Sequence, residues 1–249
     1  MTTRRTVPVA VLMIMPLVML TGSAVAYEFN DVQWDPEVFP IPYQVNATGA
    51  PDGFAGIVEE CVNQWHQVVA SSMSFRYGGT TWRGAFNFDG FNTIAWDEEG
   101  VAFEVEVEGG EEGEVEVDVD VLALTSVRIG NDGFIVECDT IFNGASAWST
   151  TGSPGTDEYD LKTAVLREIG RWVQLDFVTD PPESVMLEPL DPGVVKDILS
   201  QDDIDAVSAV YPAPHEPDAY EEGDDDITGA TLLELNVTQS DHNIFPYDD

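Results

Sequence analysis

The chain of 249 residues contains 47 acidic and only nine basic residues, which gives a formal net charge of −38. A surface this acidic repels the phosphates of nucleic acids and of anionic membranes, so we exclude proteins that bind either. The length and the hydrophobic fraction of 43% allow one domain with a full core, together with appendages.

Residues 1–26 have the three parts of a secretory signal peptide. Arg4 and Arg5 precede an apolar run at 7–20, and Ala24-Val25-Ala26 fits a cleavage site. The apolar run is about fourteen residues long, whereas a membrane span needs ~20. We therefore expect a secreted protein that is cleaved after Ala26 and has no membrane contact afterwards. Loss of the two arginines takes the net charge from −38 to −40.

Three elements are predicted between the signal peptide and residue 80. Trp34–Asn46 predicts a strand, because its apolar residues Ile41, Tyr43 and Val45 occupy alternate positions. Ser74–Tyr77 predicts a second strand. Between them, residues 56–69 predict the first long helix, whose apolar residues recur at helical spacing: Ile57, Cys61, Trp65 and Val68.

Residues 98–121 form a strongly acidic segment. Apolar residues alternate with acidic ones on both sides of a glycine-containing stretch at 109–113. Strict alternation around a glycine turn predicts a β-hairpin with one solvated acidic face. Carboxylates also suit calcium, but no ligand spacing specifies a site, so a calcium role is kept only as an alternative.

Cys61 and Cys138 are the only cysteines. In an exported chain, a single pair is interpreted first as a disulfide. This bond would join the first helix to a later strand across 76 intervening residues. It would contribute ~4 kcal/mol by the loop-entropy model. Two buried free thiols are the alternative, and geometry decides between them.

A central helix is predicted around residues 164–174. Its apolar residues share one face, and its polar residues Arg167, Arg171 and Gln174 share the opposite face. We expect the first face to pack on a sheet and the second to face a cleft. The apolar face consists of Val165, Ile169, Trp172 and Val173.

The last predicted helix begins with a capping-box pattern at Ser200 and Asp203 and ends at Pro212. Residues 214–249 follow as an acidic tail with little potential to form a core. The sequence therefore predicts a folded domain at 27–213, followed by this tail.

The most specific motif lies between Ala164 and Met186, which reads A-V-L-R-E-I-G-R-W-V-Q-L-D-F-V-T-D-P-P-E-S-V-M. It resembles the zinc helix and Met-turn of the matrixin-like (peptidase M10-type) metzincin metalloproteases, H-E-x-x-H-x-x-G-x-x-H followed by S-V-M. The resemblance extends from Trp34 to Pro212 and is interrupted by the acidic segment. It implies an α+β, zincin-like fold with a twisted, mixed five-stranded sheet and three main helices. The acidic hairpin at about 98–121 would be an insertion.

All three zinc-ligand histidines of the resembled motif are replaced, by Arg167, Arg171 and Phe177. A guanidinium stays protonated and offers no lone pair, and phenylalanine offers only a ring, so we expect no bound zinc or other cofactor. Glu168 remains as a vestigial general base, and Met186 remains in the Met-turn. Without a metal, Glu168 has no activated water on which to act.

Three functional hypotheses follow. The first is a secreted matrixin-like pseudoprotease that is catalytically inactive but keeps a cleft for an extracellular peptide or protein. In it, Arg167 and Arg171 would pair with Glu168 or with nearby acids. The alternative is an active zinc-dependent metalloendopeptidase, which requires ligands that the sequence does not supply. The second alternative is an acidic extracellular structural or calcium-responsive module.

Overall fold

The computed structural model describes residues 32–106 and 115–214. The predicted signal peptide, the turn of the acidic hairpin and the C-terminal tail from residue 215 lie outside the described residues. The described part has an α+β fold with a five-stranded mixed sheet and three α-helices. None of the described helices has the length and apolar character needed to cross a membrane.

Eight of the described strands follow one another between the first and second α-helices, and such separation of strands from helices is typical of α+β domains. The described part also contains two short two-stranded sheets that lie outside the main sheet. The elements in chain order are β1 (Ile41–Asn46), α1 (Phe54–His66), β2 (Phe75–Thr80), β3 (Thr93–Asp97), β4 (Glu104–Glu106), β5 (Val115–Val117), β6 (Ala123–Ile129), β7 (Ile135–Asn143), β8 (Trp148–Ser149), β9 (Tyr159–Asp160), α2 (Leu161–Trp172) and α3 (Gln201–Val210).

The main sheet has the strand order β2-β1-β3-β7-β6. The pairs β2–β1, β1–β3 and β3–β7 are parallel, whereas β6 pairs antiparallel with β7. Among the described strands, β6 is therefore the outermost strand on one side of the sheet. Such an edge leaves one row of backbone N–H and C=O groups without a strand partner, and an extended chain can pair with it.

The predicted strand at the start of the domain is confirmed as β1. Ile41, Tyr43 and Val45 are all buried and face the core, as their alternation indicates. The predicted first helix is also present, but it runs from Phe54 to His66. Its buried face includes Phe54 and Val58, which lie outside the predicted set.

The acidic segment contains the expected antiparallel strand pair. Glu104 of β4 lies opposite Val117 of β5, and Glu106 lies opposite Val115. The connecting residues 107–114 belong to the part that is not described.

The predicted disulfide is not formed, and Cys61 and Cys138 are two buried free thiols. Cys61 lies on the inner face of α1, where its Sγ donates to the carbonyl of Lys162 at 3.5 Å. Cys138 lies within β7. Burial raises the pKa of both thiols, so neither has the thiolate character of a reactive cysteine.

The central helix α2 begins at a side-chain cap and is buried on most sides. Asp160 accepts hydrogen bonds from the backbone N–H and the hydroxyl of Thr163, at 2.9 and 2.8 Å. Two residues of the predicted polar face are buried, since Arg167 is 6% exposed and Gln174 is 4% exposed. Arg167 nevertheless lines a cavity, as the prediction of a cleft on this face requires, whereas Gln174 does not line it, so the prediction is wrong for Gln174.

Gln174 follows α2 with a φ of +68°, in the left-handed region that glycine adopts most readily. The resembled motif has glycine at this position. We expect Gln174→Gly to be more stable than Gln174→Ala by about 1 kcal/mol, because both lose the side chain and only glycine relieves the backbone strain. Urea unfolding of the two variants measures this difference directly. Equal stabilities would contradict the assignment of strain to this residue.

Candidate functional site

The three positions that the resemblance assigns to zinc ligands come together in space. The guanidinium carbon of Arg167 lies 4.5 Å from the centre of the Phe177 ring, and that of Arg171 lies 5.1 Å from it. Both distances are within the range of a cation–π interaction. The arginines are four residues apart on α2, so both project from one side of the helix, and Phe177 reaches them from the segment that follows.

The two arginines differ in their partners. Arg171 forms an ion pair with Asp176, which agrees with the predicted pairing with a nearby acid. Arg167 forms no ion pair with any described residue, and its Nη1 is buried without a hydrogen-bond partner. The predicted pairing of Arg167 with Glu168 is therefore wrong. Burial lowers the pKa of Arg167, and the charges of Glu168 and Glu188 act in the opposite direction.

Glu168 is held by a chain of hydrogen bonds across the sheet. Its Oε2 accepts from the hydroxyl of Thr125 on β6 at 2.6 Å. The Thr125 oxygen lies 2.5 Å from that of Thr140 on β7, and Trp172 Nε1 donates to Thr140 at 2.8 Å. Since the Thr125 proton goes to Glu168, Thr140 must donate to Thr125.

In this arrangement the hydroxyl proton of Thr125 points towards the Glu168 carboxylate. Burial raises the pKa of Glu168, whereas the Thr125 hydrogen bond and the two arginine charges act in the opposite direction. The carboxylate is thus tied to the sheet through Thr125. No local sequence pattern indicates this role of Thr125 and Thr140, because they lie far from Glu168 along the chain.

A cavity of about 280 Å³ adjoins this cluster. Arg167 and Glu168 contribute to its lining, together with two exposed acids, Asp120 and Glu188. Part of the lining comes from the residues before and at the start of β6, and another part comes from residues 188–190. The main apolar lining residues are Val121, Leu122, Ala123, Phe177, Pro189 and Leu190.

The predicted Met-turn packs beneath α2. Met186 is buried, and a Cβ placed on Gly170 would overlap its sulfur atom. This contact explains why α2 has a residue without a side chain at position 170. The turn is fixed by Asp203 of α3, which accepts from the hydroxyl of Ser184 at 2.7 Å and from the N–H of Val185 at 3.1 Å.

Asp203 also completes the predicted capping box of α3, which is confirmed. Its Oδ2 accepts from the N–H and the hydroxyl of Ser200, both at 2.7 Å. The sequence indicates only this local role. The second role, holding Ser184 and Val185, depends on a contact across 18 to 19 residues that the local pattern does not contain.

A pair of buried carboxylates, Glu137 and Asp139, lies on β7, and no motif in the sequence indicates it. Asp139 accepts from the N–H groups of Phe86 at 2.7 Å and Thr93 at 2.8 Å, and Glu137 accepts from that of Gly90 at 2.7 Å. Burial raises the pKa of Asp139 to about 6, and its two backbone hydrogen bonds act in the opposite direction. These acids attach the 86–93 segment to the sheet.

The residues at the three presumed ligand positions do not fit a zinc ion. Zinc requires lone pairs from nitrogen, sulfur or oxygen, whereas these positions hold two guanidinium groups and the ring between them. Within residues 32–106 and 115–214, no group of three or more histidine, cysteine, aspartate or glutamate residues is arranged to hold a metal ion.

No protein-family model and no curated protein matches the chain. Its function must therefore be inferred from the site itself.

Proposed function

We propose that the protein is a secreted, matrixin-like pseudoprotease, which keeps the peptide cleft of a metzincin fold and has lost zinc-dependent hydrolysis. The observation that carries the proposal is the convergence of Arg167, Arg171 and Phe177. Three residues whose spacing matches a zinc motif meet at one point, as ligands of one ion would. Their side chains replace the ion with a cation–π cluster.

The surrounding geometry supports the same proposal. The buried turn containing Met186 lies under α2, against Gly170. The outermost described strand, β6, borders the cavity beside Arg167. An exposed edge strand next to a pocket is suited to bind an extended peptide, since the strand supplies backbone hydrogen bonds and the pocket receives one end or side chain.

The chemistry of Glu168 is consistent with inactivity. A general base in metal-assisted hydrolysis removes a proton from a water molecule that the metal has acidified. Here the Glu168 Oε2 accepts from Thr125, and the neighbouring positions supply no metal ligand. Peptide hydrolysis would therefore lack both the acidified water and the cation that stabilises the developing oxyanion.

The test is to purify the secreted protein without chelators and to measure zinc per chain, peptidase activity and peptide binding on the same sample. We expect a folded protein with near-zero zinc, no cleavage and measurable peptide binding. About one zinc per chain, or cleavage that a chelator blocks, would overturn the proposal in favour of an active metalloendopeptidase. If the folded protein binds no peptide, the proposal that the cleft binds a peptide is wrong.

A further inference from the structure

The guanidinium of Arg167 is a buried positive charge without a described anionic partner. The residue is 94% buried, since only 6% of it is exposed. Its Nη1 has no hydrogen-bond partner, and no described acid pairs with it. A buried charge is costly unless it is paired and hydrogen-bonded, so its retention in this cavity wall requires a reason.

The charges around the cavity are arranged in layers. Arg167 is the buried charge of the lining, whereas Asp120 and Glu188 are exposed, so the two acids lie nearer the solvent than the guanidinium does. The Glu168 carboxylate is engaged by Thr125 on β6. A ligand that matches these layers has a negative group at its inner end and a positive group near the rim.

The size of the cavity limits what can enter. Sites that enclose whole small molecules measure about 300–1,000 Å³, so a cavity of about 280 Å³ suits one residue at the end of a longer ligand. Ala123 and Leu122 line this cavity at the start of the edge strand β6. An extended peptide paired with β6 would therefore deliver its end into the cavity.

We propose that the cavity binds the C-terminal carboxylate of an extended peptide, with Arg167 as the anion receptor. The planar guanidinium matches a carboxylate by two parallel hydrogen bonds. The acidic rim selects a basic residue just before the terminus, where Asp120 and Glu188 can reach it. The apolar walls, including Phe177 and Leu190, hold the last side chain. This inference rests on the proposed peptide cleft and specifies its ligand.

Two other ligand chemistries are less well matched. A peptide that inserts a basic side chain would suit the acidic residues Asp120 and Glu188, but the inserted positive charge would be repelled by Arg167. An internal aspartate or glutamate could reach Arg167, but the chain on both sides of it would then have to leave a cavity whose volume suits one residue. A free small carboxylate would satisfy Arg167 and would leave the rim and the edge of β6 unused.

The experiment uses fluorescein-labelled hexapeptide pools and the full secreted protein, with binding measured by fluorescence anisotropy. The peptides are random except for lysine at the penultimate position, and they end either in a free carboxylate or in a carboxamide. We expect the carboxylate pool to bind at least tenfold more tightly than the carboxamide pool. Replacing the penultimate lysine by glutamate should weaken binding of the carboxylate pool several-fold.

The deciding variant is Arg167→Met, which keeps a long side chain and removes the charge. It should lower affinity for the carboxylate pool to that for the carboxamide pool, and it should leave the carboxamide pool unchanged. The melting temperature should not fall, because an unpartnered buried charge is replaced by an apolar chain. Arg76→Met is the matched control, since Arg76 is exposed on β2 at the opposite side of the sheet, and it should change neither affinity.

The outcomes separate the two proposals. If both pools bind equally and Arg167→Met changes neither affinity, Arg167 does not bind a terminal carboxylate. The proposal of a peptide-binding cleft would still hold. Binding of neither pool by the folded protein would overturn both. Competition by millimolar acetate alone that equals competition by a terminal carboxylate peptide would also overturn the peptide terminus as the ligand, in favour of a small carboxylate.

Discussion

Asp203→Ala should destabilise the protein by about 3–5 kcal/mol, because it removes the acceptor of a buried hydrogen-bond network. Asp203 is completely buried and accepts four hydrogen bonds, from the hydroxyl of Ser184, the N–H of Val185, and the N–H and hydroxyl of Ser200. Alanine would leave these donors without their acceptor. Each buried donor left unpaired costs about 1–3 kcal/mol, and the two hydroxyls can partly reorient.

Urea unfolding measures the change, and Asp205→Ala is the control on the same helix. Asp205 is exposed and accepts from the Gln201 side chain, so its removal should cost less than about 1 kcal/mol. Asp203→Ala should also loosen the turn that carries Met186 and reduce protection of the Val185 amide from hydrogen exchange. A loss below about 1 kcal/mol for Asp203→Ala would contradict a structural role for this carboxylate.

Asp203 shows which part of this fold could be predicted from the sequence. The capping box at Ser200 is a contact between residues three apart, so its pattern is visible in the chain. The alternation in β1 is visible for the same reason. The hydrogen bonds from Asp203 to Ser184 and Val185 depend on how α3 packs against the turn, and no local pattern carries that information.

The site shows the same division. The spacing of Arg167, Arg171 and Phe177 predicts that the three lie together, and the structure brings them together around one ring. The sequence could not predict which arginine finds an acid. Asp176 is five residues from Arg171 and forms an ion pair with it. Glu168 is adjacent to Arg167 but accepts a hydrogen bond from Thr125 instead. Neighbouring residues on a helix project in different directions, so adjacency favours no contact.

The disulfide prediction failed because it rested on composition and compartment. An even pair of cysteines in an exported chain favours a disulfide on average, but bond formation requires two Cβ atoms about 3.5–4.5 Å apart. Cys61 instead directs its sulfur to the Lys162 carbonyl at the start of α2. The two thiols serve as small buried groups of the core, with their pKa values raised by burial.

The second large effect is a gain of zinc binding. We expect the quadruple variant Arg167→His, Arg171→His, Phe177→His and Gln174→Gly to bind about one zinc ion per chain, because three imidazoles would then converge where the cation–π cluster lies. Glycine at 174 removes the strain that a side chain causes at this positive φ, and it gives the segment freedom to bring the third histidine into place. Isothermal titration with zinc measures the stoichiometry and affinity.

Zinc should also stabilise this variant against unfolding. A ligand present at 100 times its dissociation constant adds about 2.7 kcal/mol, which shifts the melting temperature by several degrees. The matched control carries Arg167→His, Arg171→His and Gln174→Gly and retains Phe177. With two histidines instead of three, it should bind zinc at least about 100-fold more weakly, since each lost ligand removes part of the coordination sphere.

The two zinc measurements test different statements. The natural chain lacks zinc ligands at these positions whatever its ancestry, so near-zero zinc in it agrees with the ligand chemistry alone. Zinc binding that requires the third histidine at 177 depends on the backbone around α2 having the geometry of a three-histidine site. If the quadruple variant folds and binds zinc no better than its control, the positions of Arg167, Arg171 and Phe177 are not those of zinc ligands. The cleft would then need an origin other than a metzincin fold.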